Sequence, residues 1–556
     1  MQLHTTTTPI QYSRTITQKT HLLFPLLLIT FIFTSLYTQS SLAELVPCDK
    51  VNESFQINAP GGCIEKSLSD QIGAGHGDIN TPGSSVYLIK RDPARSIRRG
   101  RQLFQRKFST DEGQGPRVNF ASTGDITQNR ALGAGLTDSC AACHGRPRGS
   151  AGFGGDVNTR PDSRDAPHLF GLGIVEQLAD EMTSTLRNRR NQALSIAEKR
   201  GRCVTMPLKA KRTSFGYITA CPDGKIDTSK IEGVNDDLRV RPFFHQGGTV
   251  SIREFVIGAF KDEMGLQAPD PILCAVTDPD NPQAMTSPSG FNFDPTMDEF
   301  ERPPVCDIND DADNDGVSNE IDTAIIDHME FYLLNYFKPG RYKITRAARE
   351  GKRLMREIDC TSCHSPSMAI KNDRRIADVE TKYDPARGIF NSLFATATTL
   401  FNVVDDGDTY PQLTPSNERF IVRNFYSDLK KHDLGPAFHE REFDGTVVTE
   451  FVTEPLWGVG STAPYGHDGR SINLDAVIRR HGGEALESRI AYERLSEEGR
   501  QNIQAFLESL VLFPPDDTAS NLNPGNPVDL DNIQSPASHG SINLGALFQI
   551  PGEGAE

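Results

Sequence analysis

The chain has 556 residues and carries 58 Lys and Arg against 74 Asp and Glu, a formal net charge of −16. This acidic excess argues against nucleic acid and anionic membrane surfaces as partners, and it is compatible with a basic electron-transfer protein. A chain of this length has room for two or three domains with their own cores.

The N-terminus has the pattern of an export signal. Two basic residues precede an apolar run at 22–37, and Ala43 ends a small-x-small cleavage sequence. The run of about 16 residues is short for a membrane span, which needs roughly 20, and Pro25 interrupts it. We therefore predict a signal peptide over residues 1–43, cleaved after Ala43, rather than an uncleaved anchor, and a periplasmic mature protein with no membrane span.

Two pentapeptides, at 140–144 and 360–364, have the sequence Cys-x-x-Cys-His. In a c-type haem site the two thiols add to the vinyl groups of the haem, and the imidazole is an axial ligand of the iron. The alternatives are a redox Cys-x-x-Cys pair or half of a zinc site, although a zinc ribbon would need a second such pair nearby. The motifs predict two covalently bound haem c groups. Their attachment residues are Cys140, Cys143, Cys360 and Cys363, and their axial ligands are His144 and His364.

The remaining Cys residues indicate disulfides. Ten Cys less the four of the haem motifs leave six, and an even remainder in an exported protein suggests three bridges. Several connectivities are open, and pairing of sequence neighbours is the simplest. It gives Cys48–Cys63, Cys203–Cys221 and Cys274–Cys306.

The chain repeats one order of signals. An amphipathic helix start at 99–104 precedes the first haem motif, and a similar one at 350–355 precedes the second. Behind the motifs, 245–252 resembles 467–474 in its apolar positions. This pattern indicates an internal duplication of a haem-binding helical unit.

The duplication leads to a prediction for the fold: mainly α, with tandem cytochrome c-like haem domains that carry loop and β-hairpin insertions. We place an N-terminal haem domain with a calcium-type loop at 44–338 and a C-terminal haem domain at 339–513. The break lies where Pro339 and Gly340 must stop a helix. The segment 514–556 is predicted as an extended tail.

In the second half, an apolar stripe points to an iron ligand. Ser471 or Asn473 can cap a helix that Gly482 ends. Steps of three and four residues place one set of side chains on one face of this helix. They are Leu474, Val477, Ile478 and His481. We predict that His481 binds the second haem iron, giving a six-coordinate site. The alternative is a core or capping His.

The corresponding helix of the first half has no such ligand. Ala259 stands where His481 stands in the other half, and Glu263 follows one turn later. We therefore predict a five-coordinate first haem with Glu263 as the catalytic acid and base, because a buried carboxylate can move a proton between the two oxygens of peroxide. Alternatively, Glu263 faces solvent, or His168 or His245 supplies a sixth ligand.

An acidic segment at 311–322 fits an Asp-x-Asp-x-Asp-Gly calcium loop, in which Gly316 supplies the sharp turn. The alternative is a solvated acidic loop, and position 12 is Asp instead of the usual Glu. The predicted calcium ligands are Asp311, Asp313, Asp315, Val317 and Asp322.

The two haem motifs and the segment 464–470, Pro-Tyr-Gly-His-Asp-Gly-Arg, resemble the bacterial di-haem cytochrome c peroxidase and MauG superfamily. Several further segments resemble the branch called di-haem oxidoreductase, putative peroxidase, and the resemblance extends over roughly residues 95–515. These segments are 164–173, 261–265, 432–435, 456–458 and 481–485.

The resemblance implies a tandem cytochrome c fold in which one haem relays electrons and the other reacts with hydrogen peroxide. It assigns the reactive role to the first haem, with Glu263 at the distal Glu, and the relay role to the second, with His481 where relatives carry Met or Tyr. The sequence departs from the family where His245 replaces an inter-haem Trp, and Trp457 is its single Trp.

We therefore expect an exported enzyme that reduces hydrogen peroxide or a related small oxidant at the first haem, with electrons relayed by the second haem. A small c-type cytochrome or cupredoxin is the expected donor. One alternative is a non-catalytic electron-transfer cytochrome with two six-coordinate haems. The other is a MauG-like oxidation of another substrate.

Overall fold

The computed structural model describes residues 68–115, 137–144, 164–312, 315–336, 338–341, 344–383, 393–407, 410–442 and 444–512. Everything below concerns the compact unit Ser67–Glu556. The predicted signal peptide, the pair Cys48–Cys63 and the tail 514–556 lie outside the described residues. Within the described ranges, no helix combines the length and the apolar character needed to cross a membrane.

Helices surround both haem motifs. The α-helices are α1 (Leu68–Ile72), α2 (Ser85–Arg91), α3 (Pro93–Gln105), α4 (Cys140–His144), α5 (Leu172–Arg200), α6 (Ile252–Ala259), α7 (Pro271–Val276), α8 (Thr323–Leu334), α9 (Arg346–Glu357), α10 (Leu474–Arg480), α11 (Leu486–Arg494) and α12 (Glu497–Leu507). A π-helical turn, Phe260–Met264, directly continues α6.

Short strands fill the segments between the helices. They are β1 (Val204–Ala210), β2 (Thr213–Ala220), β3 (Ile226–Asp227), β4 (Met285–Thr286), β5 (Asn292–Phe293), β6 (Lys338–Arg341), β7 (Ser367–Ile370), β8 (Ala377–Tyr383), β9 (Leu393–Thr399), β10 (Phe401–Val404), β11 (Gln412–Pro415), β12 (Phe420–Arg423), β13 (Lys431–His432), β14 (Glu440–Arg441), β15 (Val447–Val448) and β16 (Phe451–Val452). Two sheets have three strands, β1-β2-β3 and β6-β8-β9, and the others pair β4 with β5, β7 with β12, β10 with β11, β13 with β16 and β14 with β15.

This strand content corrects the predicted fold class. Helices hold 36% of the described residues and strands 16%, so the fold is mixed α/β and the prediction of a mainly α protein was wrong. Most of the unexpected strands lie between the second haem motif and α10. They are too short to show a clear alternation in the sequence. In the pair β7–β12, for example, Met368 faces Val422, and both are buried.

The predicted tandem arrangement of separate haem domains is not observed either. Most buried apolar side chains belong to one cluster, which draws residues from both halves of the chain. A second cluster lies within the C-terminal half, around α9 and α12. Members of the shared cluster include Ile174, Leu178 and Ile325 from the first half and Met368, Ile370, Val422 and Trp457 from the second. Each half therefore depends on the other to bury its apolar surface.

A local arrangement does recur in the two halves. The helix before each haem motif touches a second helix at a glycine: Gly100 of α3 lies against the carbonyl of His328 in α8, and Gly351 of α9 lies against the carbonyl of Asn502 in α12. A Cβ at either glycine would overlap that carbonyl. The amphipathic helices expected at 99–104 and 350–355 thus pack in the same way.

Hydrogen bonds and charges fix the helices that follow the motifs. Ser251 caps α6 and Asn473 caps α10. Each side chain accepts a hydrogen bond from the backbone amide of the residue three positions later. Arg253 of α6 is fully buried and binds Asp327 at 2.8 Å as well as Asp270. A buried Arg needs such carboxylates to offset the loss of hydration. The arrangement fixes α6 against α8.

Two of the three expected disulfides are confirmed, Cys203–Cys221 and Cys274–Cys306. The first closes the predicted hairpin, in which β1 and β2 are antiparallel and β3 adds a third strand.

The close contact at Gly351 gives a test of the α9–α12 packing. We expect Gly351→Ala to destabilise the protein by about 1–3 kcal/mol, because the added methyl group must separate the two helices. Helix propensity alone would predict stabilisation, by up to about 1 kcal/mol. Denaturant unfolding measures the change. Arg349→Ala, at an exposed position of the same helix, is the control and should stay within about 0.5 kcal/mol of the wild type. A Gly351→Ala protein that is more stable than the wild type would contradict the packing.

Candidate haem sites

The second Cys-x-x-Cys-His motif presents a neutral imidazole. A 3₁₀ turn, Cys360–Ser362, follows α9, and the Nδ1–H of His364 donates to the carbonyl of Tyr426 at 3.0 Å. Burial lowers the pKa of His364 to about 4, so the ring is neutral at pH 7. Because Nδ1 carries the proton, the lone pair is on Nε2, the atom that a haem iron would bind.

His481 has the same arrangement as His364. It caps the C-terminus of α10, and its Nδ1–H donates to the carbonyl of Val477 at 2.8 Å. Burial lowers the pKa of His481 as well. After burial, the charge on His481 is the next cause that lowers the pKa of His364, so the two rings are close enough to interact. Two neutral imidazoles with free Nε2 lone pairs are the usual partners of a six-coordinate haem iron.

Both rings line one cavity of about 610 Å³. The residues of the second motif Cys360, Cys363 and His364 line it. The whole predicted stripe of the helix that ends at His481 also lines it, namely Leu474, Val477, Ile478 and His481. Cavities of roughly 300–1,000 Å³ with apolar walls and a few polar groups are typical of cofactor sites. The residues present therefore fit a haem.

The first motif forms α4, and His144 repeats the arrangement of His364. Its Nδ1–H donates to the carbonyl of Pro167 at 2.7 Å, and burial lowers its pKa. Burial raises the pKa of the Cys140 thiol to about 12 and that of Cys360 to about 11.

His168 and His245 lie near the first motif, since charge on His245 lowers the pKa of His144 and charge on His144 lowers the pKa of His168. Both nitrogens of His168 have protein partners: Nε2–H donates to the carbonyl of Trp457 at 3.0 Å, and Nδ1 accepts from the amide of Phe170 at 3.2 Å. Ligation of iron by His168 would break the first of these bonds.

The nitrogens of His245 also face protein acceptors. Nδ1 lies 3.1 Å from the carboxylate of Glu454, and Nε2 lies 3.1 Å from the carbonyl of Asp165. His245 thus joins two segments of the chain. Its ring centroid lies 5.8 Å from that of His467.

The segment 164–170 connects the first motif with the second half of the chain. The buried pair Arg164–Glu440 has an N–O distance of 2.9 Å, and the amide of Asp165 donates to the carbonyl of His467 at 2.8 Å. Two residues later in this segment, Pro167 accepts the hydrogen bond from His144. The orientation of the first axial ligand is therefore set by contacts with the second half.

His467, which the resemblance places in a family segment, is a packing residue in this structure. Its ring stacks on Phe451, with centroids 3.9 Å apart and an interplanar angle of 15°. Burial lowers the pKa of His467 to about 3, so the ring is neutral. The adjacent Asp468 pairs with Arg480 at 2.6 Å and so fixes this turn against α10.

Glu263 lies on the π-helical turn after α6 and is half-buried. π-Helical turns are frequent at functional sites. Gly265 ends the turn with φ 68° and lies directly against the carbonyl of Gly115, so a Cβ there would overlap it. This close approach explains the glycine in Glu-Met-Gly. The catalytic role of Glu263 remains a prediction.

The acidic segment 311–322 forms a tight turn. The carboxylate of Asp311 accepts from the amides of Asp315 at 3.1 Å and Gly316 at 2.9 Å, and Gly316 has φ 95°. The carboxylate of Asp322 caps α8 through the amide of Ala324 at 2.8 Å. Val317 lies in the same turn, whereas Asp313 is outside the described residues. Calcium binding here remains a prediction.

Sequence reasoning missed the groups that orient the axial ligands. They are the backbone carbonyls of Pro167 and Tyr426, and a backbone carbonyl leaves no signal in side-chain patterns. It also missed Asp428 and Glu484, which flank His432 beside the second motif. The segment His432-Asp433-Leu434-Gly435, quoted for the resemblance, was the available signal.

Comparison with known proteins gives one family. Residues 388–510 match the family model described as "Di-haem oxidoreductase, putative peroxidase". The match includes His432, Trp457 and His481, and it begins after both haem motifs. Curated proteins give no match to this chain. The similarity supports a di-haem oxidoreductase of the peroxidase type. The MauG branch has no support of its own.

The haem interpretation predicts a stoichiometry. The wild-type protein should retain two haems per chain after denaturation, and the double variant Cys360→Ala/Cys363→Ala should retain one, because thioether bonds survive unfolding whereas axial bonds do not. A pyridine haemochrome assay on the denatured, washed protein measures the number. The matched control is Cys203→Ala/Cys221→Ala, which removes a disulfide and should keep both haems. Two retained haems in the Cys360/Cys363 variant would refute attachment at the second motif.

Proposed function

We propose that this protein is an exported di-haem oxidoreductase that reduces hydrogen peroxide at the first haem with electrons relayed by the second. The observation that carries the proposal is an asymmetry. His364 of the second motif and His481 line one cavity, whereas the corresponding helix of the first half ends at Ala259, whose methyl group cannot bind iron. The family match over 388–510 supports the reaction class.

When bound, the haem groups would supply the iron and the two electrons that convert hydrogen peroxide and two protons into two water molecules. The protein residues supply position and protons. Cys140 and Cys143 would hold the first haem, and Pro167 fixes the Nδ1 proton of its ligand His144. The resulting neutral ring keeps its Nε2 lone pair directed away from the carbonyl.

At the second motif the protein supplies two axial nitrogens. Nε2 of His364 and Nε2 of His481 are both neutral acceptors because their Nδ1 protons are committed to backbone carbonyls. Two strong-field imidazoles would give a six-coordinate site that is closed to peroxide and suited to electron relay. A small c-type cytochrome or cupredoxin is the donor that we propose.

Proton movement in the first half is assigned to Glu263. Its carboxylate would accept a proton from one peroxide oxygen and return it to the other, so that the leaving oxygen departs as water. The π-helical turn and the contact of Gly265 with Gly115 fix the backbone beside Glu263.

A calcium ion in the loop 311–322 is part of the proposal. Its ligands would be the oxygen atoms of Asp311, Asp313, Asp315, Val317 and Asp322. Because Asp322 also caps α8, which precedes the junction at Lys338, the ion would brace the connection between the two halves rather than take part in catalysis.

A second candidate function is a pure electron carrier. The proximity of His168 and His245 to the first motif favours it, since either ring could supply a sixth ligand after losing one hydrogen bond. The two functions differ in the spin state of the first haem.

Replacement of Glu263 tests the proton step. We expect Glu263→Gln to leave the absorption spectrum of both haems unchanged and to slow peroxide turnover by about 10²-fold, because the amide cannot accept the proton. Steady-state peroxide reduction with a reduced small cytochrome measures the rate. Asp262→Asn, the neighbouring acid on the same turn, is the control and should keep most of the activity. Equal rates for Glu263→Gln and the wild type would remove Glu263 from the mechanism.

Replacement of His481 tests the axial assignment. We expect His481→Ala to convert the second haem from low spin to high spin, because an imidazole ligand is lost. Electron paramagnetic resonance of the oxidised protein reports the change. Arg479→Ala, an exposed neighbour paired with Asp475, should keep the low-spin signal. If the second haem stays low-spin without His481, another residue binds its iron.

A further inference from the structure

His432 lies beside the second haem motif and has acidic partners on both sides. Its Nε2 lies 3.0 Å from a carboxylate oxygen of Asp428, and its Nδ1 lies 2.8 Å from a carboxylate oxygen of Glu484. The side chains of His432 and Asp428 are 8% and 4% exposed, whereas that of Glu484 is 46% exposed. The ring also comes within 4.8 Å of the sulfur atom of Cys363.

This geometry requires a charged ring. A carboxylate only accepts hydrogen bonds, so both nitrogens of His432 must donate, and a ring with two N–H groups is an imidazolium. Burial opposes the charge, but the hydrogen bond to Asp428 raises the pKa of His432. Together with the two carboxylate contacts, this places a positive charge next to the attachment residue Cys363.

One partner of His432 belongs to the segment that supports His364, and the other belongs to the segment that follows His481. Asp428 comes two residues after Tyr426, whose carbonyl fixes His364. Glu484 comes three residues after His481. The amide of Asp433 also donates to Glu484 at 3.0 Å, and the amide of Gly482 donates to the carbonyl of Leu434 at 2.9 Å. The imidazolium thus bridges the supports of both rings.

We propose that His432 is a positioning residue for the second haem: it links the supports of His364 and His481 and supplies a fixed positive charge that favours the reduced haem. The inference rests on the proposed assignment of His481 as an axial ligand. It needs no peroxide chemistry, so it can succeed or fail independently of the role of Glu263.

The bridge and the charge predict two measurable changes in His432→Gln. The equilibrium constant for reduction of the second haem should fall by about tenfold, because a positive charge next to the attachment residue Cys363 is lost. Added imidazole should also replace the protein ligand at a concentration about tenfold lower, because the support of His481 is weakened. Redox titration and imidazole titration of the full-length holoprotein, followed in the absorption bands of the second haem, measure both.

His439→Gln is the matched control. His439 pairs with Asp433 at 2.8 Å and is 23% exposed. Its replacement removes a similar His–carboxylate pair and should move neither titration. Glu484→Gln is a second variant at a more exposed position. It should make reduction more favourable, because a negative charge is lost, while it eases replacement by imidazole as His432→Gln does.

The proposal is supported if His432→Gln and Glu484→Gln shift the reduction equilibrium in opposite directions and both ease replacement by imidazole. It is overturned if His432→Gln titrates like the wild type, or if His439→Gln has effects as large as those of His432→Gln. If His432→Gln fails to fold with haem, Glu484→Gln decides, and an unchanged second haem in that variant overturns the proposal. Peroxide turnover of the wild type, measured separately, tests the proposed function.

Discussion

The structure depends on one short segment, 164–170. This segment forms hydrogen bonds with the first haem motif and with the second half of the chain. Within it, the carbonyl of Pro167 fixes the ring of His144, while the amide of Asp165 and the ring of His168 bind the carbonyls of His467 and Trp457. The first axial ligand is therefore oriented by a peptide that is itself anchored on the second half. The two halves also share a hydrophobic core.

The two halves differ where a second iron ligand is expected. Nδ1 of His144 and Nδ1 of His364 each donate to a backbone carbonyl, so each ring offers one Nε2 lone pair. In the second half α10 brings His481 to the cavity, whereas α6 of the first half ends at Ala259. In the proposed function, this single side-chain difference separates a closed electron-relay site from an open reactive site.

The sequence predicted two disulfides and the helix that ends at His481, and less of the overall fold. The motifs, the stripe ending at His481 and two disulfides depend on side-chain type and spacing, which a sequence displays directly. The mixed α/β fold class was missed because strands such as β13 and β16 have two residues each. Two residues are too few to show the alternation of a strand. The ligand supports were missed because the carbonyls of Pro167 and Tyr426 are backbone groups. The bridge at His432 depends on Glu484, 52 residues away, a pairing that only the folded chain reveals.

The central claim is that the second iron is bound by two imidazoles while the first keeps an open position. Electron paramagnetic resonance of the oxidised wild-type holoprotein tests this claim most directly. We expect one high-spin and one low-spin ferric signal in equal amounts, with the high-spin signal alone shifting when cyanide is added. Two low-spin signals that do not respond to cyanide would contradict the account and leave an electron carrier.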